Sequence, residues 1–439
     1  QPLQMLSHIL LLTMFVLLAS FVMVLLVGGV PQGLQGAGRK RKEVMTGSMM
    51  ATLSLAVGLD FFASAQYQPN MPEMARDFNV SQADIALTVP TYMIAVGLAT
   101  VISAPLSDYV GRRPVLLTLQ LFFGLSTFAN GCAPSIRWFP ASRLLQGISA
   151  SAGALVFAVA RDCCDDESER MRIGAILFVV MQLGPLIAPG CGALLGGLFG
   201  WRLPFFLVSF VALGSWLLMY CVLPETLAPG NALSWKSGIY TTIADRYRCM
   251  LLSTMAAIKA IFICLAGNIA ALLQTHFSLS IHQAGVLVCL LELAGTLGVA
   301  GGASFAKNPE SALRFATPLL VASAALNLFV AILCPGSWLL FFACVCVVHC
   351  VVYIPMVAVN TQLWTQFPQQ LEHIAGMASC VQVSGTFFLG ALFSLPTVPA
   401  TAAGPTQLLV ALALYMLGTL LIINVGLLRN TAAEPGEVK

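Results

Sequence analysis

The sequence predicts an all-α polytopic membrane protein, and three observations lead to this fold class. Of its 439 residues, 58% are hydrophobic and only 9% are charged, whereas soluble globular proteins carry about 25% charged residues. The mean hydropathy is +0.88. Apolar runs of about 20 residues recur, the length at which a helix crosses a hydrocarbon core. A closed barrel would show shorter, alternating segments, so the runs indicate a helix bundle.

Twelve membrane-spanning helices are predicted after a basic cluster at 39–42. The longest connection, 224–248, divides them into two sets of six, an internal repeat that is common in secondary transporters. We expect an N-terminal hydrophobic segment with a basic linker at 1–47, six-helix halves at 48–223 and 249–428, and a cytoplasmic tail at 429–439. The predicted spans are 48–69, 84–106, 115–133, 138–160, 173–198, 202–223, 249–275, 283–304, 314–334, 338–360, 372–395 and 405–428.

A further uncharged run at 9–30 is also long enough to cross a membrane, and it lacks the basic leader of a signal peptide. Two interpretations stay open. The run is a thirteenth helix, or it is an upstream segment that is cleaved or does not belong to the native protein.

The distribution of Lys and Arg predicts the orientation. If the segment before the first span lies inside, sixteen of these residues fall in inner loops and the tail, and only Arg76, Arg137 and Arg202 fall outside. We therefore expect both ends of the twelve-helix unit to face the cytoplasm, in a plasma or inner membrane.

One inner turn is unusually charged. The stretch 104-APLSDYVGRRPVLL-117 contains Asp108, Gly111, Arg112 and Arg113. The inside-positive bias accounts for the arginines but not for an acid at the membrane edge. Asp108 can form charge-assisted hydrogen bonds with basic neighbours, and Gly111 permits a tight turn. The pattern predicts a cytoplasmic latch that holds one conformation and releases in another.

This turn resembles the loop signature of the major facilitator superfamily. The matching residues are Leu106, Ser107, Asp108, Gly111, Arg112 and Arg113. The stretch 143-RLLQGISASAGALVFAVARD-162 resembles the fourth-helix signature of that family, and the resemblance adds Arg161 and Asp162 to the latch motif. The resemblance covers about residues 48–428 and implies two six-helix halves around a cavity that opens to alternate sides.

Other segments resemble the drug–proton antiporter group. The run 184-GPLIAPGCGALLGG-197 is similar to its fifth-helix signature, and 224-PET-226 also matches. The stretch 371-LEHIAGMAS-379 resembles the start of the eleventh helix in Bcr/CflA and chloramphenicol-exporter-like proteins. One departure concerns the first helix. These exporters often have an acid four residues before the proline that ends it, whereas Asp60 lies nine before Pro69.

We assign four ionisable residues to the predicted spans: Asp60, Arg143, Lys259 and Glu292. Each costs roughly 2.5–3.5 kcal/mol at a helix centre, so each should face the bundle interior or a wet cavity. Their depths pair Asp60 with Arg143, which shares a helical face with Gln146, and Lys259 with Glu292. Burial disfavours a charged carboxylate and a nearby arginine favours it, so Asp60 is the first choice for proton coupling. A static salt bridge is the alternative for both pairs and is favoured for the second.

The fifth span carries small residues at every fourth position of one face: Gly184, Ala188, Gly192 and Gly196. Small residues let helices approach closely, and Pro185 and Pro189 weaken the backbone ladder. The pattern predicts a close-packed, bendable seam, and the resemblance implies that this seam seals the cavity against leak.

Substrate contacts are expected among polar or aromatic residues at mid-depth, although a lone aromatic more often serves packing. The candidates are Phe61, Gln66, Tyr92, Asn268, Gln274 and Tyr353. The pair Cys163-Cys164 has no second pair or histidine at metal spacing. No metal or other cofactor is predicted.

These patterns predict a secondary active transporter, with proton-coupled export of small amphipathic compounds favoured. The expected partners are a small-molecule substrate, protons and the lipid bilayer, with no nucleic acid, and the chain is expected to act as a monomer. A same-fold transporter of a nutrient or metabolite stays open, and a channel or receptor is less favoured. An enzyme is not expected, since no span pairs catalytic groups, and the chain has no phosphate-binding loop for ATP.

Overall fold

The computed structural model describes residues 45–164, 167–226, 246–305, 309–365 and 372–424. The run at 9–30, the basic cluster at 39–42, most of the central loop and the tail at 429–439 lie outside the described residues. The described elements are helical throughout. The predicted all-α fold class is therefore confirmed.

The described residues of the first half form nine α-helices, because several predicted spans are divided by short turns. Their bounds are α1 Gly47–Ala65, α2 Met71–Asp77, α3 Gln82–Ala86, α4 Thr88–Val110, α5 Arg112–Gly131, α6 Trp138–Ala150, α7 Ala152–Asp162, α8 Glu167–Phe199 and α9 Arg202–Val222. A 3-10 turn, Gln68–Asn70, lies between α1 and α2. The first predicted span therefore leaves α-helical geometry before Pro69.

The described part of the second half contains seven helices. Their bounds are α10 Arg246–Thr275, α11 Ile281–Ala303, α12 Pro309–Leu333, α13 Trp338–Thr365, α14 Glu372–Ser394, α15 Thr397–Thr401 and α16 Pro405–Ile422. Across the described residues, eleven helical segments are long and apolar enough to cross a membrane, and α14 contributes a shorter apolar stretch, Val383–Ser394. Each of the twelve predicted spans thus overlaps one or more of the described helices.

The two halves repeat the same packing. In the first half α1 packs on α7, α8 and α9, while α4 packs on α6, and α5 on α6 and α9. In the second half α10 packs on α13, α14 and α16, while α11 packs on α13, and α12 on α13 and α16. Each of these helix pairings in one half therefore has its counterpart in the other.

Local chain geometry repeats as well. Ser81 forms a capping box with Asp84 at the start of α3, and Ser280 forms one with Gln283 at the start of α11. Both caps follow, by two positions, a non-glycine residue with positive φ: Asn79 at 52° and Ser278 at 54°. A capping box satisfies two backbone donors at a helix start, so the same device begins the second span of each half.

Contacts between the halves run mainly through α4 with α14 and α8 with α11. These two pairings are also exchanged by the internal repeat. At Gly97 of α4, an added Cβ would lie 2.8 Å from the backbone oxygen of Ser384, so the helices meet almost backbone to backbone. Near the side predicted to be outside, the Gln274 side chain donates across the halves to the Pro69 carbonyl at 2.7 Å.

The central and peripheral helices differ in what they expose. No large hydrophobic side chain of α1, α2 or α10 is exposed among the described residues. By contrast, exposed apolar side chains occur on α4, α9, α11, α12 and α16, at Ile102, Phe210, Leu297, Ile332 and Leu421. An apolar outer surface is expected where lipid replaces water. The chain is thus an integral, multi-pass membrane protein with α1 and α10 at its centre.

Candidate functional site

Asp60 is a buried carboxyl on the central helix α1, where its residue is 3% exposed. Among the described residues, neither carboxyl oxygen has a hydrogen-bond partner. Gly153 of α7 faces it, since a Cβ added there would lie 3.5 Å from Asp60 Oδ2. The small residue leaves room for the carboxyl group between α1 and α7.

Arg143 lies 1% exposed within a polar and aromatic enclosure. Its Nη1 donates to Gln146 Oε1 at 2.5 Å and its Nη2 to the Tyr67 hydroxyl at 3.3 Å. The guanidinium carbon lies 4.5 Å from the Tyr67 ring centroid and 4.4 Å from that of Tyr92. Such cation–π contacts gain strength where water is excluded.

The suggested pair of Asp60 and Arg143 is not formed. The carboxyl oxygens of Asp60 accept no hydrogen bond from any described residue. Tyr92 lies within electrostatic range of both groups. The depth estimate therefore placed both residues in one region, but Arg143 is directed to Gln146 and the two tyrosines.

Gln146 lies on α6 with Arg143 and is itself held by side chains of α5. Its Nε2 donates to Thr127 Oγ1 at 2.8 Å, and its Oε1 accepts from Asn130 Nδ2 at 2.9 Å. Asn130 in turn accepts from the Ser142 hydroxyl at 2.8 Å. The network ties α5 to α6, so the guanidinium of Arg143 is held in a fixed position.

The second pair also needs correction, because Lys259 and Glu292 form no ion pair. Glu292 instead directs Oε2 toward His349 Nε2 at 3.6 Å. Lys259 Nζ lies 5.0 Å from the Phe262 ring centroid and 4.5 Å from that of Phe387. The lysine is within electrostatic range of the acid, but α13 supplies the closer partner.

His349 was missed by the sequence reasoning. It is 3% exposed on α13, its ring stacks on Phe262 at 5.8 Å, and it meets the Tyr353 ring edge-on at 5.1 Å. Gly295 of α11 makes this possible, since an added Cβ would lie 2.6 Å from the imidazole Cδ2. The sequence does place this ionisable side chain inside the tenth predicted span, 338–360. A neutral histidine adds no formal charge there, so charge alone does not mark it.

The inner turn forms an ion-pair cluster around Arg112. Its Nη1 lies 2.6 Å from Asp108 Oδ1, and its Nε donates to Asp162 Oδ2 at 3.0 Å. Nη1 also donates to the Ser107 hydroxyl at 2.6 Å. Arg161 is more peripheral, with Nε 4.0 Å from Asp162 Oδ1. The cluster joins α4, α5 and α7.

Glu225, from the Pro-Glu-Thr match, is a further partner that the sequence reasoning left without a role. Its carboxylate accepts the backbone N–H groups of Arg112 at 2.9 Å and Arg113 at 3.2 Å. An anion at a helix N-terminus is favourable because the first N–H groups lack intrahelical partners. Gly111 has φ 115°, and an added Cβ there would collide with the Glu225 carboxylate.

Arg113 extends the inner cluster to α9. Its Nε donates to the Leu223 carbonyl at 2.6 Å and its Nη2 to the Tyr220 carbonyl at 2.8 Å. These bonds, like those of Arg112 and Glu225, lie within the first half. Together these bonds brace the inner ends of the helices within that half.

The small-residue face of α8 packs against α1 and the turn that follows it. An added Cβ at Gly192 would collide with the backbone oxygen of Gln66, and one at Gly196 with Asn70 Oδ1. At Gly184 it would lie 2.9 Å from the Phe62 backbone nitrogen. Asn70 Nδ2 also donates to the Gly192 carbonyl at 2.9 Å. The helix remains continuous through Pro185 and Pro189.

The opposite face of α8 meets the other half. A Cβ added at Gly285 of α11 would collide with Ala193 Cβ and lie 3.0 Å from the Pro189 carbonyl. The Gly190 N–H contacts Cys289 Sγ at 3.2 Å. One helix thus packs on α1 through one face and on α11 through the other.

Some substrate-contact candidates have structural partners. Asn268 Nδ2 donates to Thr401 Oγ1 at 2.9 Å, so it secures the α15 segment. The Gln274 side chain, as noted above, bridges the halves. The Gln66 Nε2 is buried without a partner, Tyr353 adjoins His349, and Phe61 is partly buried in the first half. Tyr92 packs on the guanidinium of Arg143, as described above.

A charged group near the predicted outer side was not anticipated. Asp77 Oδ2 accepts from Arg202 Nη1 at 2.6 Å and from Trp201 Nε1 at 3.1 Å. A surface cavity of about 440 Å³ lies beside it, lined by Glu73, Arg76, Asp77, Phe199, Gly200, Trp201 and Arg202. Within the described ranges, no group of three or more His, Cys, Asp or Glu side chains is arranged to hold a metal.

Comparisons with known proteins agree with this architecture. Residues 50–394 match the family model described as Major Facilitator Superfamily. Multidrug resistance protein D of Escherichia coli (strain K12) is 29% identical over 233 residues, which are 51% of this chain and 58% of that protein. The chloramphenicol resistance protein of Pseudomonas aeruginosa is 33% identical over 171 residues, 38% of this chain and 40% of that protein. The matched regions thus span about half the length of these relatives.

A solved structure extends the likeness of fold. The inward-facing, occupied structure of a bacterial homologue of the human lysosomal transporter Spinster superposes with a TM-score of 0.66. The superposition covers 87% of this chain and 97% of that one, at 15% identity. The family match extends over far more than half of the sequence and coincides with the repeated six-helix packing. The chain therefore belongs to the Major Facilitator Superfamily.

Proposed function

We propose that the chain is a proton-coupled secondary transporter that exports small amphipathic compounds by alternating access. The observation that carries this proposal is Asp60, a buried carboxyl on a central helix whose two oxygens have no hydrogen-bond partner. An intramembrane ionisable residue is by default a candidate for ion or proton coupling.

The environment of Asp60 favours proton binding in this conformation. An isolated carboxylate in an apolar site is strongly disfavoured unless donors or a cation compensate it. Arg143 does not compensate this carboxylate, because its guanidinium contacts Gln146 and the tyrosines instead. Water that enters the interior when the halves separate would stabilise the carboxylate and release the proton. Proton binding is thereby linked to the position of the halves.

The contacts between halves support alternating access. They are close approaches of small residues at mid-depth and toward the predicted outer side, as at Gly97 and Gly285. Such a seam can part without breaking buried ion pairs. The cluster around Arg112 keeps the inner ends of the first half together while that half moves. Rocking of two repeats about a central site is a common transport mechanism.

The substrate class is proposed from the relatives. Two of them are named for resistance to multiple drugs or to chloramphenicol. We propose that this chain also transports drug-like, amphipathic substrates. We further propose that it acts as a monomer in a plasma or inner membrane, with both ends of the twelve-helix unit in the cytoplasm. Transport of a nutrient or metabolite by the same fold is the alternative.

Substrate-driven proton movement in proteoliposomes tests the coupling. Protein with a known orientation would be exposed to chloramphenicol, tetraphenylphosphonium or 1-naphthoate, with a pH-sensitive dye inside the vesicles. Asp60→Asn should reduce proton movement at least tenfold while substrate–substrate exchange continues. Asp77→Asn, at the end of α2 in the outer charged group, is the matched control.

Two outcomes would contradict the proposal. If Asp60→Asn retained full substrate-driven proton movement, Asp60 would not be the coupling site. If wild-type protein moved all three probes without any proton signal, proton coupling itself would be wrong. Accumulation of a nutrient by downhill uptake would favour the alternative.

The inner cluster has its own test. Asp108→Asn should slow transport several-fold while leaving membrane insertion and the elution profile of the purified protein intact, because it removes a 2.6 Å ion pair to Arg112. Unchanged transport would reduce Asp108 to a feature of the turn without a role in the cycle.

A further inference from the structure

We propose that Lys259, together with Phe262 and Phe387, forms a subsite for the carboxylate of an amphipathic aromatic anion. This inference rests on the proposed transport function and specifies one substrate class for it. It concerns the second half of the protein, away from Asp60.

Lys259 faces the interior rather than lipid. It lies on α10, where no large hydrophobic side chain is exposed among the described residues. Its Cβ and Cγ pack against Gly390 of α14, since a Cβ added there would lie 2.8 and 2.9 Å from them. The residue is nevertheless partly exposed, so its ammonium group borders space inside the bundle.

The ammonium group has unused donors. Within the described part of the chain no carboxylate lies within 4.0 Å of Nζ, and no hydrogen bond to Nζ is formed. A lysine ammonium has three N–H donors. The interior cation of the first half differs in this respect, because Arg143 donates to Gln146 and Tyr67.

The nearby acid only partly compensates the lysine. Glu292 is within electrostatic range, but its Oε2 is directed to His349 Nε2 at 3.6 Å. His349 is in turn confined by the rings of Phe262 and Tyr353. This cluster draws the acid toward α13 and leaves the Lys259 donors available to a ligand.

Two aromatic rings define what else the ligand needs. Nζ lies 4.5 and 5.0 Å from the ring centroids of Phe387 and Phe262, and both rings are partly exposed. A carboxylate could accept from the ammonium group while its aromatic portion packs on the ring surface still open. Ligand sites commonly combine apolar walls with a few placed polar groups. A compact inorganic anion would contact only the ammonium group and would gain nothing from the aromatic rings.

Direct binding tests the subsite independently of transport. Equilibrium dialysis of purified, detergent-solubilised protein would compare 1-naphthoate with its neutral isostere 1-naphthamide and with 1-naphthylmethylammonium. Wild-type protein should bind the carboxylate at least tenfold more tightly than the amide. Lys259→Gln should remove that difference without changing amide binding, and Lys259→Arg should retain most of it.

The controls separate the two proposals. Asp77→Asn, in the outer charged group, should bind 1-naphthoate as wild type does. If Asp60→Asn keeps coupling while Lys259→Gln still loses carboxylate selectivity, the coupling proposal fails and the subsite stands.

The subsite is refuted if Lys259→Gln binds 1-naphthoate as tightly as wild type, or if the variant loses carboxylate and amide binding equally. If the Lys259→Gln variant does not fold, the comparison of the three compounds on wild-type protein still tests the subsite. A preference of wild type for the amide or the ammonium compound, or no preference among the three, also overturns the proposal.

Discussion

The close packing of α8 on α1 makes a quantitative prediction for glycine substitutions in one helix. Gly192→Ala would place a methyl group against the Gln66 backbone oxygen, which cannot move without shifting the chain. Gly174→Ala lies on the same helix, where an added Cβ meets nothing within 4 Å. The two substitutions have the same chemistry and differ in their surroundings.

The expected magnitudes follow from opposite effects. At Gly174 alanine should stabilise the helix by up to about 1 kcal/mol, the usual difference in helix propensity. At Gly192 the same gain is outweighed by overpacking, about 1–3 kcal/mol. Separation of the helices would also weaken the Asn70–Gly192 hydrogen bond, now 2.9 Å, with a net loss of about 0.5–1.5 kcal/mol. The propensity gain is common to both variants, so they should differ by about 1.5–4.5 kcal/mol.

Thermal unfolding of detergent-solubilised protein would measure the difference. We expect Gly192→Ala to lower the apparent melting temperature clearly and Gly174→Ala to leave it unchanged or slightly raised. Equal melting temperatures for both variants would refute the reasoning, because the glycine at 192 would then not be required by the approach of α1. Unfolding by denaturant should rank the variants in the same order.

Three other substitutions test separate contacts. Gly285→Ala would collide with Ala193 across the halves, so it should increase maleimide labelling of Cys289 several-fold by peptide mass spectrometry; unchanged labelling would show that the seam tolerates the methyl. Glu225→Gln should destabilise the protein by about 0.5–2 kcal/mol, since it removes the anion that caps α5, and no loss of melting temperature would count against that cap. Arg202→Gln should cost less than about 1 kcal/mol despite the 2.6 Å distance to Asp77, because both side chains are largely exposed and screened; a larger loss that persists in high salt would contradict this assignment.

The sequence was informative about which residues enter the bundle and less so about their partners. Depth along a predicted helix placed Asp60 near Arg143 and Lys259 near Glu292. Pairing also depends on how each helix is rotated about its axis and on where each side chain points. The aromatic enclosure of Arg143 comes from Tyr67, in the turn after α1, and from Tyr92 on α4. No local pattern specifies that meeting.

The inner cluster shows the same division. Short-range spacing named Asp108 and Arg112, and the resemblance to the fourth-helix signature added Asp162. The carboxylate that caps α5, however, comes from Glu225, 113 positions after Arg112. Its place follows from the packing of α9 on α5, which a single sequence does not encode in any one segment.

The chemistry of the two halves is less symmetric than their packing, and this bears on mechanism. Asp60, Gly153 and Tyr92 all belong to the first half, so a rigid-body movement of that half leaves the carboxyl among the same neighbours. Proton release then depends on water reaching the interior rather than on exchange of one protein partner for another. Glu292 differs, because His349 accompanies it within the second half. In the mechanism we propose, Asp60 of the first half binds the proton and Lys259 of the second half contacts the substrate. Each function can therefore be altered by substitution without removing the other.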